Sequence, residues 1–553
     1  MLLELITRHD SSCPHDFFFF DLPRKISGEI LIHFNIAIIK TNPTMERTPL
    51  LPSSSIHHEH SHAHTQRLLT SWHTSMISIG GLIGTGLFIG VRVTLLNGPI
   101  ISLCSYIYIS LICYYIIQAV GEMSIYMPLN GSLCQFIFKY ISDPVGVVTN
   151  FIYWISWSIT LALELSLIYN ILANFKLQFI EQNETLVIFL MWLALTVVNL
   201  LPVNNYGNVE FVITIFKVFF MIGWICLSVS LIIYQGDGFK YWNKELIWGI
   251  DYIKVVKNPI GSKLINILSS LVSSCFTFQS IESIAICSGE IKDINQNLPK
   301  AIKYVVLRIV VFYIFTLFLL TMMIPCNDPR LTSDDDGIFA SPFILALSNL
   351  NSNGYFLFAF NFIILLSMIS AANSNIYFGS RCLLSMVEED YFPKAFANTS
   401  NHGVPYNAVL LTSIIGLISL FSKFKSIDAF YKLLINLSAT SGLVMWLCIL
   451  IAYLQFRKAL NYNSLVYEKL SYVANYPMIL FSYITIASII VIILGNGIVN
   501  IWKFSWDSFI SCYLTLIMMI IGCYSLSLIW KQPLLKPVEQ VDVFTDQSPF
   551  AFK

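Results

Sequence analysis

Residues 75–90 read SMISIGGLIGTGLFIG, an apolar run holding five glycines, Gly80, Gly81, Gly84, Gly86 and Gly90. Glycine is about 1 kcal/mol worse than alanine in a helix interior, so its density here asks what surrounds it. Unpaired backbone groups are costly in hydrocarbon, and irregular backbone at membrane depth survives only inside protein or beside water. Two readings follow. Small residues let a neighbouring helix approach closely. Alternatively the helix is broken, and its freed amides and carbonyls bind a ligand, with the positive end of the second half facing an anion.

The composition supplies the membrane that both readings need. The chain is 56% hydrophobic and 14% aromatic but only 12% charged, with a mean hydropathy of +0.70. Soluble domains carry roughly 25% charge. Lys and Arg number 32 and so do Asp and Glu, giving zero formal net charge and no electrostatic case for nucleic acid. Cys104, Cys113, Cys275, Cys287, Cys448 and Cys523 fall in apolar runs, where cysteine acts as a small hydrophobe. No zinc spacing appears, no cleavable signal peptide stands out, and no cofactor is implied.

Apolar runs of the length that crosses a core of about 30 Å recur near 72–95, 100–122, 146–175, 186–202, 209–234, 265–287, 304–325, 341–372, 406–422, 430–455, 478–498 and 507–530. The expected fold is an all-α polytopic membrane protein with about twelve transmembrane helices. Residues 1–70 read as a mostly disordered N-terminal tail, 71–530 as the membrane domain and 531–553 as a short C-terminal tail. Basic residues in the even-numbered connections, including Lys292, Lys300, Arg381 and Arg457, put both termini in the cytoplasm. The Lys-rich connection at 236–263 argues the other way but is longer and mixed with acids. The Asp334–Asp336 run then lies outside, as does the sequon Asn183-Glu184-Thr185, which sits close to the membrane. The run HHEHSHAH at 57–64 reads as solvated tail rather than a metal site, and Met45 is an alternative start.

A second interruption lies in the sixth run, CFTFQSIESIAICSGE at 275–290, where Gln279, Ser280, Glu282 and Ser283 are polar in mid-membrane. Intramembrane carboxylates such as Glu282 are expensive and usually functional. Runs one and six hold matching places in two five-helix halves, the pattern of an inverted-repeat transporter with its ligand at the two breaks.

The segments GEMSIYMP (121–128), YWISWSITLALELS (153–166), FTFQSIE (276–282), PKAI (299–302), IPCNDPRL (324–331), SPFILAL (341–347), SAANSNIYFGSR (370–381) and GVPY (403–406) join the opening run in a recognisable order. Over about residues 68–546 the chain resembles the fungal amino-acid permeases of the amino acid–polyamine–organocation superfamily, and most of all the lysine/arginine permeases. The resemblance implies the leucine-transporter-like fold, a 5+5 inverted repeat plus two helices. It also implies proton-driven amino-acid uptake. By the same resemblance Ile83, Gly84, Thr85 and Gly86 offer amides to the substrate carboxylate. Carbonyls around Phe278 take the ammonium, and Ser280 stands where the family has glycine.

Ser156 and Glu164 are eight residues apart, about 80° around a helix, so both can face one cavity. A carboxylate inside ALELS must be protonated, paired or awaiting a cation. An internal ion pair is the alternative to a cationic substrate; the resemblance favours the latter and adds Ser438 to the pocket. Lys217 reads either as a snorkelling side chain or, by resemblance, as the lysine that replaces the ion of sodium-coupled relatives and supports proton coupling. Glu122 reads equally as an interfacial pairing group or a proton relay.

The expected function is proton-coupled import of basic amino acids, with an amino-acid sensor on the same fold as runner-up. An enzyme is disfavoured, since no nucleophile–base pair or metal-ligand set is evident. The plasma membrane is the expected address. Glu46-Arg47-Thr48-Pro49-Leu50-Leu51 has the form of an acidic dileucine signal for a sorting adaptor, which keeps the vacuolar membrane as the alternative.

Overall fold

The computed structural model describes residues 76–553 apart from 78–79, 82, 130, 174, 176, 237, 244–245, 250–258, 332–340, 349–353, 425–426, 475, 498–505, 550 and 553. The His-rich run, Met45, the Glu46–Leu51 signal and the Asp334–Asp336 run lie outside the described residues. Among those described, nine helices are long and apolar enough to cross a membrane, and three shorter apolar helices accompany them.

These fall on the expected runs. The first span is helical at 76–77 and 80–81, bends at Ile83 and Gly84, and resumes at Thr85 through a wide-wound turn, Gly86–Gly90, and Val91–Leu96. The second to fifth spans are Pro99–Tyr126, Asp143–Ala173, Glu184–Leu200 and Val203–Gln235. The sixth is Pro259–Phe278, then a turn, then Ser283–Ile286. The seventh runs Ile294–Met323. The remainder are Gly354–Glu388, Tyr406–Gly416, Ile427–Tyr462, Met478–Gly495 and Trp506–Trp530.

The eighth span differs from its expected range of 341–372. Pro342–Ser348 is a separate short helix, and the span itself is Gly354–Glu388. Asn373, Ser374, Ser380 and Arg381 are therefore inside a buried helix rather than beyond its end.

Burial separates the bundle's centre from its rim. The apolar window of the third span is 78% buried and that of the eighth 67%, against 33% and 22% for the eleventh and twelfth. The last two spans are peripheral, as expected of helices appended to a repeat. In lipid no hydrophobic force pulls helices together, so the centre is held by close packing and hydrogen bonds. Rim helices instead present bare side chains such as Phe219, Val491, Ile520 and Ile521.

Two pieces lie at the end of the bundle that carries the C-terminus. Ser132–Tyr140 is a nine-residue helix between the second and third spans, buried along nearly its whole length. Gly131, ahead of it, has φ +59°, and a Cβ there would lie 3.2 Å from the Arg381 carbonyl, a turn and an approach that suit glycine. The segment after Trp530 docks rather than trails. The Ser548 amide donates to the Tyr126 carbonyl (2.8 Å), the Tyr126 hydroxyl donates to the Val543 carbonyl (2.9 Å), and Phe552 bridges to Leu470.

Candidate functional site

The glycines of the first span admit three neighbours. A side chain at Gly80 would collide with the Glu210 carboxylate and Thr214 of the fifth span. A Cβ at Gly84 would lie 3.0 Å from that of Ala371 in the eighth. One at Gly86 would lie 2.9 Å from the Thr277 Cα of the sixth, a backbone contact that cannot swing aside. Close packing and a broken helix are both present.

The carbonyls of that span then find donors from outside the helix. Thr277 donates to Gly86 O (3.1 Å), Ser273 to Gly90 O (3.0 Å) and Ser341 to Phe88 O (2.8 Å). On the other flank Lys217 donates to Gly80 O (2.8 Å), Ile83 O (3.1 Å) and Ser370 Oγ (2.8 Å). An ammonium has three N–H donors, and all three are used. Lys217 is 1% exposed. It reaches inward to the break, so the snorkelling alternative does not describe it.

Ser370 passes the chain on, donating its hydroxyl to Glu210 Oε1. Glu210 is fully buried; its Oε2 has no partner at hydrogen-bond geometry among the described residues, and the Asn373 side chain lies nearby. The charges of both Glu210 and Glu164 act on Lys217.

Glu164 meets the break directly. Thr85, at the start of the resumed first span, caps no amide with its hydroxyl but donates it to Glu164 Oε2. Ser156, two turns earlier in the third span, is buried with a hydroxyl that has no partner among the described residues. Between them on that span, Thr160 pairs with Ser438 Oγ at 2.8 Å. Ser438 in turn donates to Gln279 Oε1 (3.0 Å), whose amide nitrogen returns a bond to the Ser438 carbonyl (3.0 Å). The turn of the sixth span is thus tied to the tenth.

Inside that turn Ser280 has φ +83°, a left-handed conformation that favours glycine. Phe278 is buried between Tyr106 and Tyr313, with ring centroids 5.4 and 4.7 Å away. Its carbonyl receives only a long bond, 3.4 Å, from Ile281 N. Glu282 accepts on both oxygens: Tyr153 donates at 2.6 Å and Trp446 at 2.9 Å, joining the third, sixth and tenth spans.

The structure therefore brings Ile83, Gly84, Thr85, Gly86, Glu164, Lys217, Gln279 and Ser438 into one bonded or packed set around the two breaks. Glu122 belongs to another. It accepts from Tyr453 (2.8 Å), Tyr467 (2.7 Å) and the Ala474 amide (2.8 Å), with Arg457 3.8 Å away, tying the second span to the tenth and the following connection. These partners supply the pairing half of its two readings.

The sequence pattern of the amino acid permease family matches residues 73–537. The chain belongs to that family. The lysine-specific permease of Saccharomyces cerevisiae is 33% identical over 88% of this chain and 79% of its own. A probable lysine/arginine permease of Candida albicans is 35% identical over 82% of this chain and 79% of its own. Among solved structures, a point mutant of the manganese transporter of Eremococcus coleocola superposes with a TM-score of 0.55 at 14% identity, covering 83% of this chain and 94% of that one. This last likeness concerns the fold alone, the leucine-transporter-like architecture. The permease is an integral membrane protein and not an enzyme, of a family whose fungal members typically sit in the plasma membrane.

Two charged pairings of the permease escaped the sequence reading. Glu210 precedes Lys217 by seven residues, two helical turns, which puts both on one face; that spacing was the available signal. The pair of Glu290 with Arg381 (3.3 Å), covered by the Tyr377 hydroxyl and ring, links the end of the sixth span to the eighth. Nothing local in SGE or GSR announces it.

Proposed function

We propose that this permease is a secondary active transporter that couples uptake of a basic amino acid, lysine or arginine, to protons. The observation that carries the reading is Glu164: a carboxylate buried in the third span and bonded to Thr85 in the broken first span. The substrate carboxylate takes the amides at Ile83–Gly86, at the positive start of the resumed helix. The α-ammonium takes carbonyls at the two breaks, with Phe278 O available on the second. The cationic side chain reaches Glu164 past the free Ser156 hydroxyl and Ser438.

Coupling rests on Lys217. Its ammonium occupies the ground between the first, fifth and eighth spans, holding Gly80 O, Ile83 O and Ser370 Oγ. Losing its proton weakens that hold and frees the first span to move, so proton and conformation are linked at one side chain. Glu122 serves as a latch between spans, and relays protons only through Tyr453 and Tyr467. The termini face the cytoplasm and the plasma membrane is the address.

Purified protein in proteoliposomes, given radiolabelled lysine or arginine and an imposed pH gradient, tests this. Uphill accumulation that collapses with a protonophore is the expected result. Binding without flux would indicate a sensor on the same fold. Flux of neutral amino acids alone would remove the basic substrate.

A further inference from the structure

The charge balance around the first break bears on how proton and substrate are held together, an inference that rests on the transport function proposed above. Three ionisable side chains lie in one cluster: Lys217, Glu210 and Glu164, each no more than 4% exposed. Net charge in such a place is costly, and buried ions survive when opposite charges cancel. A symporter of a basic amino acid must hold two added positive charges at once, the coupled proton and the substrate's side chain. One carboxylate cannot offset both. With Glu164 alone, a protonated Lys217 and a bound cationic substrate would leave one net positive charge in the bundle.

We propose that Glu210 is the second negative charge that lets proton and cationic substrate be bound together. Its geometry fits a resident partner of Lys217 rather than of the substrate. It shares a helix face with Lys217, and the directed chain Lys217 N–H to Ser370 Oγ–H to Glu210 Oε1 joins the two through one hydroxyl. Gly80 keeps the room that the carboxylate fills, since any side chain there would strike Glu210. The groups facing Glu210 are few among the described residues. The fifth span contributes Lys217 and Tyr206, the eighth neutral Ser370 and Asn373, and the first the Gly80 backbone; Glu164 of the third span acts on Lys217. With Glu210 assigned to Lys217, Glu164 is left for the substrate cation. The four charges, two positive and two negative, then sum to zero in the loaded state. Glu210 acts through Lys217 and is a positioning residue, not a substrate ligand.

The pH dependence of lysine affinity tests this. In wild-type proteoliposomes the KM for lysine should not rise as external pH falls from 8 to 5, because the proton on Lys217 is compensated. In Glu210→Gln that proton and the substrate compete for Glu164, so the KM should rise about tenfold or more over the same range, and uphill accumulation should be lost. Glu210→Asp should keep the wild-type sign. If Glu210→Gln alone cannot be recovered folded, the double variant Glu210→Gln/Lys217→Gln removes both charges. It should bind lysine with a KM independent of pH and without gradient-driven accumulation. A Glu210→Gln protein with the wild-type pH profile and accumulation overturns the assignment while leaving the transport reading intact. A wild type that does not accumulate lysine overturns the transport reading and this inference with it.

Discussion

The Thr85 hydroxyl, in the break of the first span, donates to the Glu164 carboxylate of the third, joining residues 79 positions apart. The bond ties the place where the substrate's backbone is expected to the place where its side chain is expected.

Replacing Glu164 tests the side-chain end. A hydrogen bond to a charged group contributes about 1.5–3 kcal/mol, so Glu164→Gln should weaken lysine and arginine uptake at least about tenfold. The measurement is initial-rate uptake normalised to the amount of protein in the membrane. Unchanged basic amino-acid uptake by a well-expressed variant would remove the main support for a cationic substrate.

Lys217→Ala removes the donor that holds Gly80 O and Ile83 O. The accumulation ratio should fall towards unity in a pH gradient, while exchange of internal for external substrate persists. Gradient-driven accumulation at the wild-type level would dissociate Lys217 from coupling.

Two glycines on either side of the break, Gly81 and Gly86, should separate cleanly. A Cβ at Gly86 meets the Thr277 Cα at 2.9 Å and Phe276 O at 3.2 Å, whereas one at Gly81 meets nothing closer than the Phe378 ring at 3.6 Å. Gly86→Ala should cost about 1–3 kcal/mol of overpacking and lower folded yield and uptake. Gly81→Ala should be close to neutral. Fluorescence size-exclusion profiles of the two variants compare them directly, and equal yields would contradict the close approach of the first and sixth spans.

Ser280 holds φ +83° without being glycine, a conformation that costs an L-residue about 1–2 kcal/mol. Ser280→Gly should raise the melting temperature in detergent slightly, since glycine's larger unfolded-state entropy offsets part of the gain. Ser280→Val should lower it, a β-branched residue being the worst fit at positive φ. A melting temperature lowered by glycine would mean that the serine side chain itself holds the turn.

The sequence disclosed the span count and both breaks because lipid leaves few ways to write them: long apolar runs, and polar or glycine-rich stretches where backbone must leave the helix. Glu164 and Lys217 were visible for the same reason, as ionisable groups in hydrocarbon. The eighth span was misplaced because SPFILAL continues the apolar signal across a short separate helix, Pro342–Ser348. The buried helix Ser132–Tyr140 was missed because nine residues are too few to register as a span. Glu210 stands at the start of the 209–234 run, where a polar residue draws no notice, and only its geometry with Ser370 and Lys217 brings it into the site. The Gln279–Ser438–Thr160 link joins three spans far apart in the chain, and no local pattern carries such a pairing.

The docked C-terminal segment sets an order on biogenesis. Tyr126 emerges early in synthesis, yet its hydroxyl and carbonyl are matched by Val543 and Ser548, more than 400 positions later. Every span can enter the bilayer while this seam stays open, and it closes only after Val543 and Ser548 have left the ribosome. Contacts of such long sequence separation form late. The seam therefore distinguishes a chain that carries residues 543–548 from one cut before them. A chain cut before Val543 should insert fully and still leave the Tyr126 carbonyl without the Ser548 amide that pairs with it.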